Sequence, residues 1–441
     1  MGITDIDDKI VNRAKLSGSS VERVSRKFES EFLKSMAKLN VQSVDYLLRV
    51  TEHIPEIIDF ITIIKRNGHA YVNNIGDVVF DSSHFHNSPG HLYGKLQPAN
   101  FANDGRQSDF TLWKRCQDPD EKYWESPWGP GRPGWHIECS AMSSSVFGRH
   151  LDIHGGGIDI RRNINLSGLF LNTPGLLKLK FPHHNNEVAQ CEACFSSNSW
   201  ATQFLHTGHL HIDGVKMSKS LKNFLSVDDF LADHEPDSFR MFCLLHRYRS
   251  TIHFSDERIF DAHHVLRTFR HFNRRIHPIL GMTPDQVRLK QNEADRELVH
   301  KFSKIQVAVL ASLCDDFDTP ATISLLLSLV NISNAYLDSI GNPNGSLIYR
   351  ISSYIFSQLS SLGISHERTM KSLDENIAVE LLVNFRNSIR HDILKTPPLS
   401  NLSKQILSSC DRLRQDMKTK IGIEVSDSKG GQASWSRSSP S

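Results

Sequence analysis

Residues 181–190 read F-P-H-H-N-N-E-V-A-Q and hold two candidate metal ligands one helical turn apart. Pro182 suits the first turn of a helix, which places His183 and Glu187 on one face at positions i and i+4. Zinc accepts an imidazole nitrogen and a carboxylate oxygen, and Cys139, within G-W-H-I-E-C-S at 134–140, offers a thiolate. Three protein ligands with a fourth position open are typical of a catalytic zinc site rather than a structural one.

Other interpretations of these residues remain open from the sequence alone. An imidazole and a carboxylate at i and i+4 also form ordinary hydrogen-bonded pairs on helix surfaces, and the spacing by itself favours that simpler pair. His184 competes with His183 as a ligand, and only geometry can choose between them. Cys191 and Cys194 form a Cys-x-x-Cys pair, but no second pair accompanies them, so we expect structural thiols.

A third chemical cluster is the segment K-M-S-K-S-L-K-N at 216–223. Lys216 and Lys219 flank Met-Ser between apolar segments. Lysines on such a loop can follow a triphosphate and neutralise charge as pyrophosphate leaves. The alternative is a solvated basic turn, which the segment taken alone would favour.

The composition describes a folded chain without a strong overall charge. The 441 residues correspond to roughly three domains. Lys and Arg number 51 against 49 Asp and Glu, a net charge of +2, so a polyanion would need a local basic patch. With 39% hydrophobic and 23% charged residues, the chain is neither disordered nor collagen-like. Seven cysteines favour a reducing compartment over a disulfide scaffold, and no apolar stretch is long enough to predict a membrane span.

The first half of the chain mixes helical and strand patterns. Isoleucines at 3–4 spacing predict a helix over 51–65, followed by short strands at 70–71 and 77–81. Residues 84–134 are rich in Gly, Pro, Asn and aromatics and show little periodicity, which predicts a surface region. Residues 150–160 predict a short strand that runs into a glycine turn.

The second half is helical from about 257 to 418. Thr319 followed by Pro320 predicts the N-cap and first turn of one helix. We therefore place a boundary near 255, with an α/β part before it and a helical bundle after it. One apolar stripe recurs at spacings of 4, 3, 4 and 4: Leu298, Phe302, Ile305, Val309 and Leu313.

Taken together, these motifs closely resemble one family, the cysteinyl-tRNA synthetases of class I, and most of all the animal mitochondrial form. The resemblance implies an α/β fold with a Rossmann-like class I catalytic domain, truncated at its N-terminus, and an all-α bundle of the anticodon-binding type. The matching segments occur in family order along nearly the whole chain: 3–9, 109–114, 126–140, 152–159, 181–184, 216–220 and 315–320.

The resemblance also implies a domain order and an activity. Residues 1–255 would be the catalytic domain, 256–425 the tRNA stem-contact and anticodon-binding region, and 426–441 a flexible tail. The family activates cysteine with ATP and Mg²⁺ to cysteinyl-adenylate and transfers it to tRNA(Cys). Its zinc binds the substrate thiolate directly, which discriminates against serine without an editing domain. The resemblance also implies a monomer that does not bind membranes and lies in the mitochondrial matrix, or otherwise in the cytoplasm.

Carried over residue by residue, the resemblance assigns a role to each candidate site residue. Lys216 and Lys219 match the mobile catalytic loop, with Lys219 on the ATP phosphates. The zinc ligands are Cys139, His183 and Glu187; the residues that hold cysteine are Thr4, Trp135 and Asp159; those beside the adenylate are His154, Gly155, Gly156 and Gly157.

The chain departs from the family pattern in two places. The family begins with a strand that bears a fourth zinc-ligand Cys and with a His-x-Gly-His signature, and this chain starts after both. Asp159 and His183 are 183 − 159 = 24 positions apart, where the family has about five, so 160–180 contains about nineteen extra residues. These departures raise the alternative of an inactive truncated isoform or a mis-predicted gene model. A ligase that transfers cysteine to a small amine is less favoured, because 257–418 resembles the tRNA-synthetase bundle.

Overall fold

The computed structural model describes residues 1–96, 109–117, 122–157, 179–212, 215–216, 225–280, 291–365, 375–395, 400–427 and 433–437. The chain forms two compact units, Met1–Ile364 and Ser365–Ser441. The larger unit contains two clusters of buried apolar side chains, and the smaller unit has a cluster of its own. The domain boundary expected near 255 stays a prediction.

The elements of the first half of the larger unit run from the N-terminus to residue 207. In chain order they are β1 (Gly2–Ile3), α1 (Asp8–Ser17), α2 (Val21–Lys38), β2 (Leu48–Arg49), a 3-10 turn (Val50–Glu52), α3 (Ile54–Arg66), β3 (Ala70–Val72), β4 (Val78–Phe80), α4 (Ser82–Asn87), β5 (Phe110–Arg115), β6 (Gly131–Pro133), α5 (Trp135–Phe147), β7 (Leu151–Gly157), a π-type turn (Leu179–His184), α6 (Asn185–Phe195) and β8 (Ala201–Thr207).

Helix α3 confirms the helix predicted over 51–65, although it begins three residues later. Residues 50–52 form the 3-10 turn instead. Pro55 stands in the first turn of α3, where its missing N–H leaves no hydrogen bond unmade. The buried face packs into the first apolar cluster and consists of Ile54, Ile57, Phe60, Ile61 and Ile64.

An antiparallel sheet in the order β3–β4–β5–β6 occupies part of the region expected to be an aperiodic surface, 84–134. That expectation is wrong for β5, whose adjacent Leu112 and Trp113 are both fully buried. Adjacent strand residues point to opposite faces of a sheet. Because both faces of β5 are covered here, the polar–apolar alternation that marks a half-buried strand is absent from its sequence.

Strands β7 and β8 pair in parallel, from Leu151 opposite Ala201 to Gly157 opposite Thr207. The glycine turn expected within 150–160 is therefore wrong, since residues 155–157 continue the strand. The carboxyl ends of parallel strands lie at the same edge of a sheet, and ligands bind there in α/β folds. This pairing places His154 and His206 near that edge.

The second half of the larger unit is mostly helical. Its elements are β9 (Leu210–Ile212), β10 (Val215–Lys216), α7 (Val227–Asp233), α8 (Pro236–Leu244), β11 (Ile252–Phe254), α9 (Asp256–Leu280), α10 (Glu293–Cys314), α11 (Thr319–Ser339) and α12 (Gly345–Ser361). Helix α10 confirms the predicted stripe: Leu298, Phe302, Ile305 and Val309 are buried in the second apolar cluster, and Leu313 packs against it.

Helix α11 begins one residue away from the predicted cap. Asp318 is the N-cap, and its side chain accepts a hydrogen bond from the Ala321 backbone N–H at 3.2 Å. Thr319 is the first helical residue, so its assignment as the N-cap is wrong. Among the described residues, α11 is the one helix long and apolar enough to cross a membrane. One face of it, including Ile323, Leu326 and Val330, belongs to the second apolar cluster, as in a core helix.

The smaller unit consists of α13 (Glu375–Leu394), α14 (Asn401–Ile421), β12 (Ile423–Asp427) and β13 (Ala433–Arg437). The two strands form an antiparallel hairpin. The stretch expected to be a flexible tail, 426–441, therefore contains a strand, and Trp435 of that strand packs against the cluster of this unit. The buried members of this cluster are Val379, Val383, Met417, Ile423 and Val425.

Candidate metal and substrate site

Two helices of the larger unit, α5 and α6, bring the candidate zinc ligands together. The turn into α5 passes close to β5, since a Cβ on Gly134 would lie 2.1 Å from the Thr111 carbonyl oxygen. Only glycine fits there. Helix α5 then carries Cys139, while His183 lies in the π-type turn that leads into α6, the helix of Glu187.

The ligand atoms of Cys139, His183 and Glu187 all lie within 4.8 Å of one another. His183 Nε2 is 3.5 Å from Glu187 Oε1, as the i, i+4 spacing predicts. His183 and Glu187 are only 2% and 1% exposed, so they are not the surface pair that was the alternative. The structure thus brings thiol, imidazole and carboxylate donors to one point inside the fold.

The donor atoms at this point suit a metal ion. Glu187 Oε1 is buried and has no hydrogen-bond partner among the described residues. Burial lowers the pKa of His183 to about 2, so the ring is neutral and keeps the lone pair that a metal ligand needs. Burial, and next the nearby Glu187 carboxylate, hold the pKa of the Cys139 thiol well above its usual range. A bound cation is the kind of charge that reverses that shift.

A second group of donors overlaps the first. The ligand atoms of His154, His184 and Glu187 also lie within 4.8 Å of one another. His154 Nε2 is 2.5 Å from Glu187 Oε2, and His184 Nδ1 is 2.9 Å from His206 Nε2. Either His183 or His184 could therefore be the metal ligand, because both histidines lie beside the Glu187 carboxylate. His154, expected beside the adenylate, contacts this carboxylate.

Aromatic and imidazole rings fix the orientation of His183. The Trp135 ring stacks on it with centroids 4.1 Å apart and an interplanar angle of 23°. His136 Nδ1 and His183 Nδ1 are 2.9 Å apart. When His183 carries its proton on Nδ1 and donates it to His136, Nε2 is left as the metal-facing atom. Such a contact behind the ligand is the usual way in which a ligating tautomer is fixed.

Thr4 lies beside the helix that carries Cys139. Its Oγ1 donates a hydrogen bond to Glu138 Oε2 at 3.1 Å. Glu138 is 2% exposed, and burial is the main cause that raises its pKa well above the usual range. The neighbouring Asp5 accepts bonds from the Thr51 N–H at 3.0 Å and the Thr51 hydroxyl at 2.5 Å. The segment that bears Thr4 is therefore held on two sides.

The remaining predicted site residues are placed less completely. Asp159, Lys219 and nearly all of the extra segment 160–180 lie outside the described residues. The backbone of Lys216 is the end of β10, paired with His211 of β9. Gly155, Gly156 and Gly157 are extended residues of β7. Their approach to a nucleotide stays a prediction.

The two thiols of the Cys-x-x-Cys pair, Cys191 and Cys194, are buried, free, and part of α6. Among the described residues, neither belongs to a group of three donors that could hold a metal ion. Sequence patterns assigned no role to His136, Glu138 or His206, which the structure places around the candidate ligands. The signal for Glu138 and His136 was their position beside Cys139 and Trp135 in the G-W-H-I-E-C-S motif.

Comparisons with known proteins match the chain to one family. Residues 1–162 and 171–264 match the family described as the tRNA synthetases class I (C) catalytic domain. The chain is 37% identical to a probable mitochondrial cysteine–tRNA ligase of Xenopus tropicalis, over 99% of the chain and 78% of that protein. It is 36% identical to a cysteine–tRNA ligase of Encephalitozoon cuniculi, over 98% and 85%. A cytoplasmic cysteine–tRNA ligase of Dictyostelium discoideum is also 36% identical, over 99% and 67%.

Solved structures show the same fold at low sequence identity. A methionyl-tRNA synthetase of Mycobacterium tuberculosis, bound by methionyl-adenylate, is similar with a TM-score of 0.53 and 14% identity, over 80% of this chain and 79% of that one. A putative arginyl-tRNA synthetase of Campylobacter jejuni gives 0.54 and 12%, over 79% and 70%. The class I synthetase fold is thus common to all three chains.

Proposed function

The chain belongs to the cysteine–tRNA ligase family of the class I tRNA synthetases, and we propose that the Cys139, His183 and Glu187 cluster is where it selects its amino acid. It is a cysteine–tRNA ligase, which activates cysteine with ATP and transfers it to tRNA(Cys). The observation that supports the site is the buried Glu187 Oε1, which has no hydrogen-bond partner in the described part of the chain and lies 3.5 Å from His183 Nε2. An oxygen in that position costs free energy unless a cation or donor satisfies it.

Cys139, His183 and Glu187 would hold a zinc ion. When bound, zinc supplies a soft Lewis acid with an open position for the sulfur of the substrate, which a serine hydroxyl matches poorly. The residues around the zinc site would orient its ligands and the amino acid. Trp135 stacks on His183 and fixes its ring, and Thr4 presents its hydroxyl beside α5 for the backbone of the amino acid.

The nucleotide would bind at the carboxyl edge of β7 and β8. His154 and the three glycines of β7 lie toward that edge, where proteins with parallel α/β sheets bind their ligands. Lys216 and Lys219 would neutralise the phosphates of the Mg²⁺-bound ATP as pyrophosphate leaves. The relatives include mitochondrial and cytoplasmic ligases, and we propose the mitochondrial matrix for this chain as a monomer that does not bind membranes.

Cysteine-dependent exchange of pyrophosphate into ATP tests the proposed function. We expect exchange with cysteine, little with serine, and loss with the Lys219→Ala variant, because that lysine would hold the leaving phosphates. Charging of tRNA(Cys) with labelled cysteine tests the second step. Exchange that proceeds equally well with serine would overturn the assignment of the selective site to Cys139, His183 and Glu187.

A further inference from the structure

We propose that Ser140 and Gln190 are positioning residues, whose hydrogen bond sets the distance of Cys139 from the other two candidate zinc ligands. The inference rests on the proposed function, since it takes Cys139, His183 and Glu187 as the ligands. Ser140 directly follows Cys139 in α5, and Gln190 lies three residues after Glu187 in α6. The bond between them therefore joins the two helices close to the ligands.

The three ligands do not all depend on the same contacts. His183 and Glu187 are four residues apart, so the course of the chain into α6 sets their separation, which is 3.5 Å between Nε2 and Oε1. Cys139 comes from a different helix, and its distance from the other two depends on how α5 packs on α6. Zinc requires that distance to be correct, because the lengths of its bonds to protein ligands vary by only about 0.2 Å.

The hydrogen bond between Ser140 and Gln190 is short and fully enclosed. The Ser140 hydroxyl donates to Gln190 Oε1 at 2.6 Å, and both residues are 0% exposed. A longer contact of 3.4 Å joins the same hydroxyl to the His136 carbonyl oxygen in its own helix. The link between the helices does not depend on which way the amide is turned, because a hydroxyl can also accept from an amide N–H. Both groups are neutral, so ionisation does not alter the bond.

Apolar contacts constrain the packing of α5 and α6 less strictly than this bond does. The neighbours of Ser140 and Gln190 along the two helices include Ala141, Met142 and Ala189, which are buried in the first apolar cluster. Burial of apolar surface has no preferred direction, and a methionine side chain adapts to irregular gaps. A hydrogen bond has a preferred length and angle, so it resists sliding and rotation of α5 against α6.

The burial of Gln190 is itself unfavourable. One polar atom of its amide, Nε2, has no hydrogen-bond partner among the described residues, and an unbonded amide group inside a fold costs free energy. A methionine of similar length would fill the same space without that cost. A buried polar pair makes a packing arrangement more specific, which is what a ligand carried by a separate helix requires.

The zinc affinity of the full chain, measured by competition with a chelator, tests the proposal. Ser140→Ala should weaken zinc binding about tenfold, as is common when a contact behind a metal ligand is lost. Gln190→Met removes the same bond from the other side and should weaken binding by a similar factor. The double variant should bind no more weakly than either single variant, because the one bond is already lost. Ser144→Ala is the matched control: its hydroxyl lies 4.0 Å from Cys191 Sγ, too far for a strong bond, and its loss should change the affinity less than about twofold.

Cobalt(II) in place of zinc separates positioning from a general loss of stability. The energy and intensity of its visible absorption bands report the geometry of the ligands. We expect these bands to shift in Ser140→Ala and Gln190→Met under conditions in which urea unfolding shows both variants to be folded, and to stay unchanged in Ser144→Ala. A merely structural bond would lower the free energy of unfolding and leave the zinc affinity and the cobalt spectrum of the folded protein unchanged.

The results distinguish failure of the positioning role from failure of the proposed site. If the unmodified chain binds no zinc, or if Cys139→Ser keeps the metal, the proposed site is wrong. If the unmodified chain binds zinc through Cys139, and both single variants keep its affinity and spectrum, the positioning role is wrong. Losses that add in the double variant would also overturn that role, because they would show that Ser140 and Gln190 act separately.

Discussion

Glu187 connects the two groups of donors in the site, because each of its carboxylate oxygens faces a different histidine. Oε2 is bound to His154 at 2.5 Å, whereas Oε1 lies 3.5 Å from His183 and accepts no hydrogen bond from the residues that the structure describes. A carboxylate held by one oxygen and open at the other is oriented before any ligand arrives. Such orientation by a second contact is what tunes a metal ligand.

Replacement of Cys139 by serine should abolish zinc retention. The thiolate is the softest donor of the proposed set, and a hydroxyl does not replace it for zinc. Cys191→Ser is the matched control, a buried thiol of α6 outside both donor groups, and it should keep close to one zinc per chain. Metal analysis of the purified variants measures both. Equal losses would move the site to the Cys-x-x-Cys pair.

A second comparison decides between the two overlapping donor groups. With zinc on Cys139, His183 and Glu187, His183→Asn should lose the metal while His184→Asn keeps it. Cobalt(II) in place of zinc should then show a thiolate charge-transfer band that disappears in Cys139→Ser. If His184→Asn loses the metal and His183→Asn keeps it, the ligands are His154, His184 and Glu187.

The sequence predicted that His183 and Glu187 lie together, but it did not predict the residues that surround them. His183 and Glu187 are four residues apart, so helical geometry alone places them together. The contacts that orient them join residues 47, 22 and 33 positions apart, between His136 and His183, His184 and His206, and His154 and Glu187. Contacts of that range depend on how α5, α6, β7 and β8 pack, which no local spacing encodes.

Among the helices and strands, the start of α11 offers a direct test of capping. Asp318→Ala should lower the free energy of unfolding by about 1–2 kcal/mol, because the Ala321 N–H loses its acceptor. Thr319→Ala, at the first helical position, should cost less than about 0.5 kcal/mol. Asp318→Asn keeps the cap while removing the charge that pairs with Arg247. Urea unfolding of the three variants measures their free energies of unfolding. A larger decrease for Thr319→Ala than for Asp318→Ala would show that Thr319 is the N-cap, as the sequence predicts.

His69, the residue before β3, should make the free energy of unfolding depend on pH. His69 is 7% exposed and lies among the rings of His84, Phe85 and His91, 5.4, 5.4 and 5.6 Å away. Burial lowers its pKa; charge on His91 and His84 lowers it further, and Asp81 opposes the shift slightly. The unfolded chain therefore takes up a proton below about pH 6.5 that the folded chain does not. Acidification from pH 7 to 5 should reduce the free energy of unfolding.

His69→Phe isolates that contribution. Within the described ranges His69 Nδ1 has no hydrogen-bond partner, so a phenyl ring gives up no bond there. The variant should lose less stability between pH 7 and 5 than the unmodified chain, by up to about 1.4 kcal/mol per pH unit. Unfolding measured at several pH values gives the two slopes. Identical slopes would show that His69 is not kept neutral by the fold.

The elements that sequence patterns predicted well are those with one buried face. Helices α3 and α10 keep their apolar residues at 3–4 spacing because the other face is exposed to solvent. Strand β5 is covered on both sides and shows no alternation, so it was missed. Three successive glycines predict a turn, yet in β7 they continue the strand, since glycine also occurs in strands where a ligand approaches the backbone.

The whole molecule carries a net charge of only +2, so a tRNA must be bound by local patches. Helix α9 offers one such patch in the region proposed to contact tRNA. Arg267 and Arg274 are two turns apart and exposed, and neither forms an ion pair with a carboxylate among the described residues. Arg275 on the same helix is already paired with Asp338. Arg267 also contacts His264 Nδ1 at 3.2 Å, but both guanidinium groups keep N–H donors that can bind phosphates.

We therefore expect the affinity for tRNA(Cys) to fall steeply between 50 and 200 mM salt, because binding to phosphates releases counterions and added salt opposes that release. The double variant Arg267→Ala and Arg274→Ala should bind more weakly and reduce the slope of log affinity against log salt by about two. Arg275→Ala is the matched control and should leave that slope nearly unchanged, because its charge is neutralised by Asp338. Filter binding over the salt series measures all three proteins. An affinity that is independent of salt would exclude phosphate contacts as the basis of binding, and an equal loss of slope in Arg275→Ala would show that the ion pair opens to meet the tRNA.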